Sequence, residues 1–280
     1  MSKPMLIDQA NLSLAWAEAY LAAREARGHV ISPLVVSFSG FDADGPLEDE
    51  RVRDAVDTAL EGSDMQSVQT VANTIFPQVL WRRANGDRAA FYQSYLEALP
   101  DYIAMCPSKN NMGLYFGRLI AYGMDQKTGD PLTRYAGDAL LNEGNQVETV
   151  IRRCKKGVKK MKLQASVFDP SRDHFTEAMP KFPCLQHITF IPCFDSKTLS
   201  MNAFYATQQL FRKGYGNFLG LARLGSFVAG ESGLTLDRLS CFIGMEKMES
   251  GNGPAKGLGD ALTKACEHAL EHTRALVGGA

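Results

Sequence analysis

Six cysteines and five histidines are the residues of this chain with the most direct chemical potential. Cys106, Cys154, Cys184, Cys193, Cys241 and Cys266 show no CxxC pairing and no metal-like spacing with the histidines, so they read as reduced thiols in a cytoplasmic protein rather than as a disulfide framework. A thiol becomes a nucleophile when it ionises, and it ionises near neutral pH where positive groups lower its pKa. His268 and His272 stand four apart beside Glu267 and Glu271. No third ligand is evident, and an exposed helix face accounts for them, so no metal is expected. Gly230-Glu231-Ser232-Gly233 lacks the spacing of a serine-hydrolase elbow and reads as a capped helix end. Gly214-Tyr215-Gly216 and Gly251-Asn252-Gly253 fit neither a phosphate-binding loop nor a dinucleotide fingerprint. The basic run from Arg152 to Lys162 is either a solvated turn or an anion site.

The bulk numbers bound the setting for these residues. The chain has 280 residues, 45% of them apolar and 22% charged, with a formal net charge of -1. Such a chain can bury a sizeable core without staples, and it has no global basic field pointing to nucleic acid. The first residues lack the apolar region of a signal peptide, and no apolar run is long enough to span a bilayer.

The elements that must position the chemistry follow from periodicity. Helices are expected over 9–28, 48–60, 67–80, 88–105, 145–153, 217–230 and 257–276, with Pro100 ending or kinking the fourth. Strands are expected over 30–41, 163–168, 186–194, 199–207 and 239–245. No linker or repeat divides residues 1–280. The pattern predicts one α/β domain with a mixed, mostly antiparallel sheet flanked by helices and without the βαβ alternation of a dinucleotide fold.

From Leu163 to Glu249 the chain resembles the catalytic half of the thymidylate synthases. Val167-Phe168-Asp169-Pro170 stands for that family's Trp-Asn-Pro element, and Phe182-Pro183-Cys184-Leu185 for its Pro-Cys-His nucleophile segment. Leu199-Ser200, Asn217, Gly233-Leu234 and Gly244 then follow in the family's register without a gap. Further upstream, Phe38-Ser39-Gly40 and Tyr115-Phe116-Gly117 are similar to its Val-Phe-Gly and Val-Tyr-Gly.

The resemblance implies a thymidylate-synthase-like fold, a homodimer, and a cysteine, Cys184, that adds to C6 of a pyrimidine nucleotide or nucleoside. C5 would then take a one-carbon unit from 5,10-methylenetetrahydrofolate. Asn217 would pair with the O4/N3 edge of the base or cap the helix beginning near Phe218. Gln186, His187, Tyr115 and Gln209 would be supporting groups, and Lys160 and Lys162 would receive an anion across a dimer boundary.

The sequence also departs from that pattern. Ala206-Thr207 replaces the family's phosphate-binding Arg-Ser, Leu185 its histidine, and Lys247 and Glu249 its ribose-holding His and Tyr, while the early glutamate falls near Asn73-Thr74. These losses favour methylation or hydroxymethylation of a variant substrate over housekeeping thymidylate formation. They fit equally a non-enzymatic member serving as a nucleotide sensor or assembly component. An unrelated α/β protein with a coincidental Pro-Cys is the third alternative.

Overall fold

Twenty α-helices and β-strands are defined among the described residues of the computed structural model, which are 4–42, 45–110, 113–123, 144–157, 160–174, 183–248, 254 and 256–278. In chain order they are β1 (Met5–Gln9), α1 (Leu12–Glu25), β2 (Val30–Ile31), β3 (Leu34–Phe38), β4 (Phe41–Asp42), β5 (Gly45–Pro46), α2 (Glu50–Glu61), α3 (Val68–Asn73), α4 (Gln78–Ala84), α5 (Arg88–Met105), α6 (Pro107–Asn110), α7 (Tyr115–Ile120), α8 (Gln146–Lys155), β6 (Gln164–Ser166), α9 (Pro170–Asp173), β7 (Leu185–Cys193), β8 (Thr198–Gln209), α10 (Tyr215–Glu231), β9 (Thr235–Lys247) and α11 (Lys256–Gly278).

The long strands form because their apolar residues alternate with polar ones, which buries one face of each. Leu199, Met201, Ala203 and Tyr205 of β8 point inward, as do Leu236, Leu239, Cys241 and Ile243 of β9. The main sheet runs β1-β3-β9-β8-β7-β6, with β2 pairing beside the end of β9. The pairs β1/β3 and β8/β9 are parallel and the others antiparallel, so the sheet is mixed and mostly antiparallel, as expected. The parallel pairs come from two βαβ crossovers, through α1 and through α10, which periodicity alone did not reveal.

The helices that touch the sheet lie against this buried face: α1 on β1 and β3, α10 on β8 and β9, α7 and α8 on β6. Close approach of α10 to α3 depends on two glycines. A Cβ at Gly216 would stand 2.5 Å from Val71 Cβ, and one at Gly220 would stand 2.7 Å from the Ala72 carbonyl oxygen. Asn11, Asp49, Ser67, Asp87 and Asn145 cap the starts of α1, α2, α3, α5 and α8 through their side chains.

Two expectations change. The helix expected over 67–80 is two, α3 and α4, because Pro77 lacks an N–H and disfavours helical geometry at Phe76. Pro100 does not end α5, which runs on to Met105. Buried Phe91, Tyr92, Tyr95 and Leu99, with Tyr102 packed 5.8 Å from Tyr95, outweigh one lost hydrogen bond.

Candidate active site

Cys184 immediately precedes β7 and is half-buried, packed on the rim of the core. Two adjacent residues of β8 hold it: its carbonyl accepts the Ala206 N–H at 3.1 Å, and its Sγ accepts the Thr207 hydroxyl at 3.7 Å. A bulge sets this arrangement. Leu185 pairs with Tyr205 and His187 with Phe204, so Gln186 is the extra residue. The Gln186 carbonyl accepts the N–H groups of Val167 and Phe168, at 2.9 and 3.2 Å, which ties the bulge to the segment after β6.

Tyr115, the first residue of α7, lies beside the backbone of Cys184 and Leu185. Burial and the neighbouring Cys184 push its phenol above the ordinary range, while backbone groups of Leu185 and Cys184 hydrogen-bond it and oppose the rise. Tyr115 therefore stays a neutral hydroxyl at physiological pH. Its helix is fixed at two points. The Phe116 N–H donates to the Thr74 carbonyl at the end of α3, 2.9 Å away. Arg118, 2% exposed, forks onto Asp173 at 2.6 and 2.9 Å and donates to the Val167 carbonyl at 3.1 Å.

Beneath the thiol lies a buried polar floor. Tyr205 is fully buried, and burial raises its phenol far above the usual value, helped by Tyr115, Cys241, Cys184 and Glu246. Burial likewise pushes the Cys241 thiol up, with Glu246 adding to it, so Cys241 is an inert core thiol. Gln208 is 2% exposed with neither amide atom hydrogen-bonded, and it pairs in register with the fully buried Glu246. The site thus combines a half-buried sulfur with hydroxyls from Thr207 and Tyr115. A thiol in such a setting can act as a nucleophile once ionised.

The other sequence-derived candidates fall in different places. Asn217 is the third residue of α10 and 4% exposed; the helix starts at Tyr215 with Gly214 as its cap residue, so Asn217 does not cap it. Gln186 sits in the bulge one residue from Cys184. His187 lies on the opposite sheet face, bonded to Ser166 Oγ at 3.2 Å and Gln164 Oε1 at 3.0 Å. Gln209 is exposed at the end of β8. The side chain of Lys160 is outside the described residues, as are Phe182 and Glu249. Lys162 is exposed and, by the β6/β7 register, stands beside Ile191, roughly 20 Å along the strand from Cys184.

Thr207, Tyr205 and Gln208 were not among the candidates. Strict alternation would place Thr207 with Tyr205, whereas the observed strand buries Tyr205 and Gln208 and turns Thr207 toward the sulfur.

Among the described residues no group of three or more His, Cys, Asp and Glu side chains could hold a metal ion, and no helix is long and apolar enough to cross a membrane. Comparison of the sequence with models of known protein families and with curated proteins finds no match.

Proposed function

We propose that this protein is a thymidylate-synthase-like C5 one-carbon transferase, methylating or hydroxymethylating a pyrimidine nucleotide or nucleoside. The observation that carries the reading is the placement of Cys184. It is the half-exposed cysteine of the Pro-Cys motif, with its sulfur hydrogen-bonded by Thr207 and its backbone against Tyr115. In this reading the thiolate adds to C6, the C5–C6 π electrons move onto the ring carbonyl, and C5 becomes nucleophilic. Loss of the C5 proton would be matched by departure of the tetrahydrofolate amine. The new carbon on C5 would then take a hydride from tetrahydrofolate for methylation, or water for hydroxymethylation, as the sulfur leaves, which restores the aromatic ring and the free thiolate. The Thr207 hydroxyl stabilises the thiolate as it forms and leaves. Tyr115, held neutral, supplies a proton donor beside C5 and C6. Asn217 offers donor and acceptor to the N3/O4 edge.

The one-carbon donor in this reading is 5,10-methylenetetrahydrofolate, which supplies the carbon at C5. Its carboxylates suit exposed Lys155, Lys156 and Lys162, but Lys162 is too far from Cys184 to serve the same chain's site. Folate would therefore lie across the boundary with a second copy. A sheet face supports that arrangement. Leu6, Val35, Phe242, Phe204 and His187 form one row across five strands on the face opposite the helices, and the Phe204 and Phe242 rings stack at 5.5 Å while 37% and 42% exposed. An exposed apolar row of this extent marks a contact surface, and a second copy turned about a twofold axis would supply the cover. Sizing by light scattering should give a dimer that Phe242→Asp dissociates; a monomeric wild type removes this arrangement.

The direct test of the chemistry is tritium release from C5-labelled dUMP, dCMP and CMP, which needs only cysteine addition. Release from at least one, abolished in Cys184→Ala, supports the transferase. Nucleotide binding without release from any of the three supports a sensor instead.

A further inference from the structure

A second polar locus lies along the contact of α10 with α3. Gly216 and Gly220 face α3, and at about 100° per residue Arg223 falls about 20° from Gly216 and about 120° from Asn217. Arg223 Nη2 donates to Gln69 Oε1 of α3 at 3.0 Å, and Gln69 Nε2 donates to Asn73 Oδ1 at 3.0 Å. Arg223 Nη1 is shut from solvent and has no hydrogen-bond acceptor. Arg53 of α2 and Arg82 of α4 are close enough to act on it. Burial first, then these two guanidiniums, push the Arg223 pKa down to about 10, against an opposing pull from Glu48.

The carboxylates nearby are engaged elsewhere. Glu48 accepts from Arg53 Nη1 at 2.8 Å and from the Tyr215 hydroxyl at 2.8 Å. Asp57 accepts from Arg53 Nε at 2.7 Å and from the Val68 N–H at 3.2 Å. Arg82 is exposed and forms no ion pair among the described residues. Arg223 therefore feels two further guanidiniums, while the two carboxylates nearby both serve Arg53. A half-buried guanidinium with an orphan donor is costly, and an oxyanion is the partner that its planar fork matches.

We propose that Arg223, with Gln69 and Arg82, forms an oxyanion-binding site for a carboxylate or phosphate group of a small molecule, separate from Cys184. The site does not depend on the transferase reading. Arg223 as a whole is only partly buried. An oxyanion drawn to the guanidinium beside Gln69 offsets the excess positive charge.

Calorimetric titration of the full chain with inorganic phosphate and with malonate, at constant ionic strength in chloride, tests this. At least one anion should bind, more than tenfold more weakly to Arg223→Gln and measurably more weakly to Arg82→Gln, with Cys184→Ala unchanged. Phosphate alone or malonate alone as the binder identifies the ligand class. Should Arg223→Gln fail to fold, exposed Arg82→Gln decides the matter. Absence of binding by both anions, or undiminished binding to the variants, overturns the proposal.

Discussion

Replacing Asp173 by Asn isolates the contact that holds Tyr115 against Cys184. Arg118 and Asp173 are 2% and 3% exposed, and the fork between them is the principal tie between α7 and the segment after β6. The Asp173 carboxylate also accepts the Asp169 N–H at 2.8 Å. Removing one partner strands the other charge in the interior, which costs about 3–5 kcal/mol. For a chain of 280 residues, unfolding entropy near 2.1 cal/mol/K per residue turns that loss into a fall in Tm of roughly 5–9 °C. Calorimetry of Asp173→Asn should show it. The double variant Arg118→Met with Asp173→Leu should lose less, because it leaves no unpaired charge. Iodoacetamide labelling of Cys184 should accelerate in Asp173→Asn as α7 loosens. A Tm within about 2 °C of wild type, which would mean that the pair contributes little, refutes the reasoning.

Two glycines of α10 should respond in opposite ways. Gly220→Ala drives a Cβ against the Ala72 carbonyl and should destabilise by about 1–3 kcal/mol in urea titration, whereas Gly230→Ala meets nothing within 4 Å and should stabilise by about 0.5–1 kcal/mol. Tyr115→Phe should leave the fold intact and slow C5 tritium release at least about tenfold by removing the hydroxyl beside Cys184; an unchanged rate removes Tyr115 from the chemistry. Glu148 binds Arg88 and Arg152. Burial alone would raise its pKa, but the hydrogen bonds and charge of these arginines prevail and lower it from 4.5. Its contribution is therefore present above pH 4.5 and lost as pH falls through the lower folded value. Glu148→Gln should flatten the acid limb of the stability–pH curve in that range.

Most of the sheet was legible in the sequence because β7, β8 and β9 alternate over much of their length, and α10 because its small apolar residues repeat at helical spacing. β1 was not, since the five residues Met5–Gln9 are too few to separate from the start of an amphipathic helix. The site was partly legible. Cys184 and Tyr115 do come together, and the Pro-Cys motif and the tyrosine before Phe116-Gly117 pointed to them. His187 did not follow, because the bulge at Gln186 reverses the parity of the strand and turns the imidazole to the outer face beside Phe204. The same irregularity in β8 hid Thr207 and Gln208, whose faces cannot be read from a period of two. Arg118 looked like any surface arginine; only the fold shows Asp173 waiting for it.

In the proposed reaction the Cys184 sulfur attacks a pyrimidine ring. Incubation with 5-fluoro-dUMP and 5,10-methylenetetrahydrofolate, followed by intact-mass and peptide mass spectrometry, reads that bond directly. The expected result is an adduct carrying the nucleotide on the peptide containing Cys184, absent from Cys184→Ala and diminished in Thr207→Val. An adduct on another cysteine, or none while tritium release proceeds, contradicts it.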